Sequence, residues 1–197
     1  MPFFNKFAES KKHFMIVTET KIKDLYIIEP KIFGDERGYF FEVYSERDFR
    51  KETGLDMHFV QDNESKSSKG VLRGLHFQKN PYSQAMLIRV VHGSVQDVAV
   101  DLRSGSPTFG QYVSVILSEA NKKMFFIPAG FAHGFLTLED DVIFQYKCSQ
   151  FYEPSSEGSI RWDDPDIGVE WMLKGEDYLL SPKDMKAPSF KDHPFNF

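Results

Sequence analysis

The sequence is poor in features that would mark several common classes of protein. It contains one cysteine, Cys148, so no disulfide can form within the chain, and we expect a reducing compartment such as the cytoplasm. No apolar run approaches the roughly 20 residues that a membrane-spanning helix needs, so no membrane contact is expected. The formal net charge of -5 disfavours a general nucleic-acid-binding function, because such proteins usually carry a basic face.

Length and composition favour one folded unit. The chain has 197 residues, of which 41% are hydrophobic, and this is enough to bury a sizeable core. The N-terminal stretch does not read as a signal peptide, because its short apolar run breaks at Asn5 and Lys6. We expect residues 1–14 to form a loose extension and residues 15–197 to form a single domain.

Strand patterns dominate the chain. The stretches SVQDVAVDL, GQYVSVIL and VIFQYKCSQFY alternate apolar and polar residues, and turn signals such as FGDERG, RSGSPTFG and IPAGFAHG separate them. Helix signals are few: Ser45 followed by Asp48 predicts a cap with Gly54 as the stop, and Ser181 with Asp184 predicts a second capping box. We predict an all-β, double-sheet jelly roll with a few short peripheral helices and room for one ligand inside.

Two histidines are candidates for chemistry. His133 follows a Pro-x-Gly turn, a position typical of a metal-binding cupin, but the companion stretch RGLHFQ offers His76 alone. A metal site needs three or four ligands, so we expect no bound metal. His76 is then either a general base or a partly buried core histidine. In a regular strand Arg73 and His76 would face opposite ways, unless Gly74 bulges the backbone and brings both into one cavity.

Several stretches taken together resemble a known family. FGDERGYFFE, FVQDN, VLRGLHFQ, DVAVDLRSGSPTFGQ, FFIPAGFAHGFL, YKC, SSEGSIRWDDPDIGVEW and LSPKD occur in the order and spacing found in the dTDP-4-dehydrorhamnose 3,5-epimerase family, from about residue 15 to 190. The resemblance implies a cupin-type jelly roll and a homodimer with exchanged strands. It also implies a cofactor-free reaction on a dTDP-linked 4-keto-6-deoxy sugar, in which protons at C3 and C5 are removed and returned on the other face.

The resemblance also implies roles for individual residues. His76 matches the family's base, Asp184 the carboxylate partner of that base, and Tyr146 the acid. The implied substrate contacts are a ring stacked on thymine (Tyr152), cations for the pyrophosphate (Arg37, Arg73 and Lys183) and further polar contacts (Glu42, Gln61, Asp62, Asn63, His133 and Glu157). Those around Arg37 and Glu42 are expected to come from the second subunit.

Each of these residues also has a structural interpretation. Asp184 fits the cap of its own helical turn, and Tyr146 alternates with core residues along its strand. Arg37 and Glu157 would both suit solvated turns, and His133 could bond to the backbone of its turn. The sequence alone leaves these alternatives open.

Met86 departs from the family pattern, which has a lysine at this position that contacts the C4 oxygen of the sugar. Loss of one such donor typically lowers the rate by about 10²–10³, and a thioether cannot replace it. Arg73 or Lys79 could take the role, the enzyme could act at C3 only or on another 4-keto sugar nucleotide, or the protein could be a non-catalytic sugar-nucleotide-binding cupin. The retained His76, Tyr146 and Asp184 favour an active enzyme.

Overall fold

The computed structural model describes residues 15–174, 177–193, 195 and 197, so the predicted loose extension, residues 1–14, lies outside the described residues. Strands account for nearly all the regular structure within this range. The elements are β1 (Met15–Glu19), β2 (Tyr26–Pro30), β3 (Phe33–Asp35), β4 (Gly38–Phe40), α1 (Glu46–Thr53), β5 (Gln61–Ser67), β6 (Leu72–Gln78), β7 (Met86–His92), β8 (Ser94–Asp101), β9 (Tyr112–Ser118), β10 (Met124–Ile127), β11 (Phe131–Thr137), β12 (Val142–Cys148) and β13 (Glu157–Ser159). No helix among these elements is long and apolar enough to cross a membrane.

The strands form two antiparallel sheets and a separate hairpin. The six-stranded sheet has the order β1-β2-β10-β7-β12-β5, the five-stranded sheet has the order β13-β6-β11-β8-β9, and β3 pairs with β4. The main core lies between the sheets, where Ile88 and Phe144 of one sheet share a cluster with Val95 and Phe135 of the other. Burying one apolar face of each sheet against the other stabilises this arrangement. The predicted all-β double-sheet jelly roll is confirmed.

Strand β8 departs from the predicted alternation of apolar and polar residues. Every residue from Val95 to Asp101 is buried. The inner-face side chains enter the core between the sheets, while Val98 and Val100 on the outer face pack with Ile160 and Ile167 from the C-terminal part of the chain. Because both faces are covered, the polar side chains in this strand need partners inside the protein.

The two predicted capping signals are both present. In α1 the hydroxyl of Ser45 accepts a hydrogen bond from the Asp48 backbone N–H at 3.3 Å, and Gly54 ends the helix with a φ of 74°. Near the C-terminus, Ser181 Oγ accepts from the Asp184 backbone N–H at 3.1 Å. There the helix is a single 3₁₀ turn, Asp184–Lys186, so it is shorter than the capping box suggested.

Strand β6 contains the irregularity that was hypothesised at Gly74. His76 pairs with His133 of β11, whereas Arg73 pairs with Phe135, so β6 carries one extra residue at this point. Gly74 has a φ of 122°, and a Cβ on it would lie 2.6 Å from the Gly134 Cα, so only glycine fits between these strands. The bulge allows Arg73 and His76 to line the same cavity.

Candidate active site

A cavity of about 270 Å³ opens between the two sheets. The five-stranded sheet contributes side chains of β6 and β11, and the six-stranded sheet contributes side chains of β7 and β12. The residues that line it include Arg73, His76, Gln78, Met86, His133, Tyr146, Tyr152 and Glu157. The fold therefore brings together about half of the residues that the sequence resemblance singled out.

His76 is held by a buried carboxylate. Its Nε2 lies 2.5 Å from Asp184 Oδ1, and only 3% of the Asp184 side chain is exposed. The second oxygen of Asp184 accepts a hydrogen bond from Ser181 Oγ at 2.6 Å. Burial by itself would raise the pKa of Asp184, but hydrogen bonds to His76 and Ser181 outweigh it and lower the pKa below its usual value. Asp184 is thus ionised at neutral pH, and Nδ1 of His76 has no hydrogen-bond partner among the residues that the structure describes.

Asp184 can serve both as the carboxylate partner of His76, forming a His76–Asp184 dyad, and as part of the cap of its own helical turn. Ser181 Oγ accepts from the backbone N–H of Asp184 and caps the turn, while the Asp184 carboxylate faces His76. The turn therefore fixes the carboxylate, and the carboxylate in turn orients the imidazole ring.

Tyr146 stands on the wall opposite His76. It belongs to β12 in the six-stranded sheet, whereas His76 belongs to β6 in the facing sheet. Burial and the neighbouring Cys148 raise the pKa of Tyr146, and Arg73 and Asn63 only partly offset this. The phenol consequently keeps its proton at neutral pH. An imidazole and a protonated phenol thus line the same cavity from opposite sheets.

The mouth of the cavity carries an aromatic ring in a polar network. Tyr152 is 54% exposed, and its hydroxyl donates to Glu157 Oε2 at 3.2 Å. Glu157 also forms an ion pair with Lys183, the neighbour of Asp184 in the chain. The exposed-turn interpretation of Glu157 is wrong, because this residue begins β13 and lines the cavity.

Three predicted contacts on β5 differ in their placement. Gln61 Oε1 accepts from the Tyr152 backbone N–H at 3.2 Å, and its amide donates to Asn63 Oδ1 at 3.0 Å. Both residues therefore support the groups that line the cavity. Asp62 instead pairs with Lys147 at 2.5 Å and lines a smaller cavity of about 50 Å³.

Arg37 and Glu42 lie outside the large cavity. Arg37 is on the turn of the β3–β4 hairpin and pairs with Asp35 at 2.5 Å. Glu42 follows the hairpin; its Oε1 is buried without a hydrogen-bond partner in the described part of the chain, and burial raises the pKa of this carboxyl group. Within the described residues, neither side chain lines the cavity that holds His76 and Tyr146.

His133 has a partner that the sequence reasoning missed. It lies within β11, and its Nε2 is 3.0 Å from both carboxylate oxygens of Asp97, which is fully buried. Burial raises the pKa of Asp97, and His133 opposes this rise. The available signal was a carboxylate within the valine-rich run of β8, because a buried acid needs a partner. Pairing of β8 with β11 places that partner beside it.

Met86 lines the cavity, as does Arg73, whereas Lys79 is not among the described lining residues. The Arg73 guanidinium donates to Ser67 Oγ at 3.2 Å. Of the two cations considered as replacements for the family lysine, the structure therefore places Arg73 at the cavity. Within the described residues, no group of three or more His, Cys, Asp or Glu side chains is placed to hold a metal ion.

Comparisons with known proteins agree with this geometry. The family model described as dTDP-4-dehydrorhamnose 3,5-epimerase matches residues 19–192. The dTDP-4-dehydrorhamnose 3,5-epimerase of Salmonella typhimurium is 55% identical over 174 residues, which is 88% of this chain and 94% of that protein.

Solved structures are also similar. The dTDP-4-dehydrorhamnose 3,5-epimerase of Elizabethkingia anophelis has a TM-score of 0.88 at 53% identity, covering 91% of this chain and 98% of that one. The dTDP-6-deoxy-D-glucose-3,5-epimerase of Legionella pneumophila, in complex with dTDP-4-keto-L-rhamnose, has a TM-score of 0.86 at 51% identity, covering 90% and 93%. The chain therefore belongs to the dTDP-4-dehydrorhamnose 3,5-epimerase family.

Proposed function

We propose that the protein converts dTDP-4-dehydro-6-deoxyglucose into dTDP-4-dehydrorhamnose by epimerisation at C3 and C5. The observation that carries this proposal is the placement of the His76–Asp184 dyad and Tyr146 on opposite walls of one cavity. Inversion of a carbon next to a ketone needs a base on one face and an acid on the other. Each inversion removes one proton and returns one, so the reaction needs no redox cofactor.

The residues act in a defined order at each carbon. Nδ1 of His76 removes the proton, and the electron pair moves toward the C4 oxygen to form an enolate. Asp184 stabilises the imidazolium that results, since its carboxylate is ionised and hydrogen-bonded to Nε2. Tyr146 then donates its proton to the opposite face of the carbon. Proton exchange with solvent restores His76 and Tyr146 for the next inversion.

Stabilisation of the enolate is assigned to Arg73. A developing oxyanion needs a cation or hydrogen-bond donor close by, and the apolar Met86 supplies neither. Arg73 is the permanent cation among the described lining residues, and the β6 bulge directs it into the same cavity as His76.

The nucleotide is assigned to the mouth of the cavity. The exposed ring of Tyr152 offers a face on which a thymine base can stack. Lys183 lies near this ring because it forms an ion pair with Glu157, and it supplies positive charge for the pyrophosphate. Gln61 and Asn63 support this region from β5, and His133 is available for a polar contact deeper in the cavity.

A homodimer with exchanged strands would complete the site. Ile32, Tyr39 and Phe40, on and beside the β3–β4 hairpin, are 45%, 60% and 44% exposed, an apolar surface suited to a second copy of the chain. The same region holds Arg37 and Glu42, which lie away from the cavity of their own subunit. These facts support a partner subunit that receives both residues at its own site.

Mixing two inactive variants tests the shared site. In a heterodimer of His76→Ala and Arg37→Ala subunits, one site would carry both changes and the other site would carry neither. Random reassortment makes half the dimers mixed, so about a quarter of wild-type activity should return. Failure of a reassorted mixture to regain activity would show that each subunit supplies its own Arg37.

A reducing compartment such as the cytoplasm fits the single thiol. Cys148 is free and buried, and burial raises its pKa to about 11, which keeps it protonated and unreactive. Fractionation of the source cells with an antibody to the protein would test this placement.

Proton exchange in D₂O tests the reaction itself. The protein would be incubated with dTDP-4-keto-6-deoxyglucose while NMR follows the sugar protons, with His76→Ala as the inactive control. Deuterium at both carbons supports the 3,5-epimerase, whereas label at C3 alone would show a single-site epimerase. Binding without any label would point to another 4-keto sugar nucleotide or to a non-catalytic sugar-nucleotide-binding protein.

A further inference from the structure

Gln78, at the end of β6, holds the main chain on both sides of Tyr152, whose exposed ring lies at the cavity mouth. Its side chain is buried, with only 6% exposure. The amide nitrogen donates to the Tyr82 carbonyl at 2.7 Å and to the Phe151 carbonyl at 3.2 Å, and the amide oxygen accepts from the Glu153 N–H at 2.7 Å. Both halves of the amide are therefore used, and they join two separate loops.

These contacts matter because the segment around Tyr152 has no regular secondary structure of its own. Residues 151–153 belong to no helix or strand, and several of their backbone groups, including the Phe151 carbonyl and the Glu153 N–H, have side-chain partners. Gln78 binds the residue before Tyr152 and the residue after it, while Gln61 accepts from the Tyr152 N–H. The ring itself is 54% exposed, so its position depends on these backbone anchors together with the hydrogen bond from its hydroxyl to Glu157.

We propose that Gln78 is a positioning residue that fixes the Tyr152 platform at a set distance from His76 and so determines affinity for the nucleotide part of the substrate. Gln78 and His76 lie on the same strand. A loop that is anchored at Gln78 is therefore held at a fixed distance from His76. The inference rests on the proposed function, because it assumes that Tyr152 contacts the nucleotide. Gln78 acts through the loop and takes no part in proton transfer.

Gln78→Glu is a near-isosteric test of this role. The carboxylate can still accept from the Glu153 N–H, but its second oxygen would face the carbonyl oxygens of Tyr82 and Phe151, where an N–H now donates. Repulsion between these oxygens would displace the loop. We expect Kd for dTDP and KM for the sugar nucleotide to rise about 5- to 150-fold, the range for losing one stacked base, while kcat stays within about threefold.

Gln96 provides a matched control. It is 2% exposed in β8 of the same sheet; its amide donates to the Glu170 carbonyl at 2.8 Å and to Ser114 Oγ at 3.0 Å, and it accepts from the Met172 N–H at 2.7 Å. Gln96→Glu therefore disrupts the same kind of buried amide outside the described cavity lining. Both variants should lose thermal stability, but only Gln78→Glu should weaken binding.

The experiment measures thermal unfolding, Kd for dTDP by calorimetry, and kcat and KM by proton exchange for the wild type and both variants. The proposal would be overturned if the two variants shared the same KM and the same Kd and lost similar amounts of stability. A fall in kcat with unchanged KM would also overturn it. If Gln78→Glu does not fold, the uncharged Gln78→Met is measured with the same expectations. Wild-type binding of dTDP without turnover would refute the proposed reaction while the Kd comparison still decides the role of Gln78.

Discussion

Asp184→Asn tests how much the carboxylate of the dyad contributes to proton transfer. The change keeps the size and shape of the side chain and removes its charge. Asparagine can still direct Oδ1 to His76 Nε2, because Ser181 Oγ, now 2.6 Å from the other oxygen, can accept from an amide N–H instead. We therefore expect the imidazole to keep its orientation but to lose the stabilisation of its protonated form.

The magnitude follows from the hydrogen bond that is weakened. His76 Nε2 and Asp184 Oδ1 are 2.5 Å apart, and Asp184 is 3% exposed, so the bond is short and shielded from water. A hydrogen bond to a charged group contributes about 1.5–3 kcal/mol, which corresponds to a rate loss of roughly 10- to 150-fold. This loss should appear in kcat, since the imidazolium forms only during the reaction, and KM should change little.

The assay compares initial rates of deuterium incorporation at C3 for the wild type, Asp184→Asn and Ser181→Ala. Ser181→Ala removes a neutral donor to the same carboxylate but leaves its charge, so about a 2- to 10-fold loss is expected. A kcat for Asp184→Asn within threefold of the wild type would refute the dyad. A loss confined to KM would show that Asp184 acts in binding.

Further predictions concern the other groups at the site. His76→Ala should abolish exchange at both carbons but leave the protein folded, with a modest fall in melting temperature because buried Asp184 loses one of its hydrogen bonds; loss of the folded state would contradict this. Tyr146→Phe should still allow exchange at C3 but yield little inverted product by NMR, since the opposite-face donor is gone; normal inversion would exclude Tyr146 as the acid. Arg73→Met should lower kcat by about 10²–10³, and Met86→Lys in that background should restore part of the rate; an unchanged kcat for Arg73→Met would remove it from enolate stabilisation. The folded pKa of Asp184 lies below its ordinary value of 3.8, so the stability that it contributes is present at neutral pH and is lost as pH falls through about 4 and below. Urea unfolding from about pH 6 to pH 3 should therefore show a steeper loss for the wild type than for Asp184→Asn, and parallel curves would contradict the lowered pKa.

Local signals were sufficient for much of the architecture. Ser45 and Gly54 bound α1 as predicted, because a cap depends on a few neighbouring residues. The hypothesis of a bulge at Gly74 is also confirmed, since glycine is required where two backbones approach closely. Strand β8 was harder to predict, because its outer face is covered by residues that come much later in the chain.

The all-β fold, the family and the candidates His76, Tyr146 and Asp184 could all be predicted from the sequence, because residue periodicity, turn chemistry and ordered motifs are properties of the chain. Which side chains contact one another depends on the folded arrangement of the strands. His76 reaches Asp184 and His133 reaches Asp97 only because distant strands and turns are brought into contact. The hydrogen bonds of Gln78 were likewise invisible in the sequence, since its partners lie in two loops whose approach depends on the packing of the two sheets.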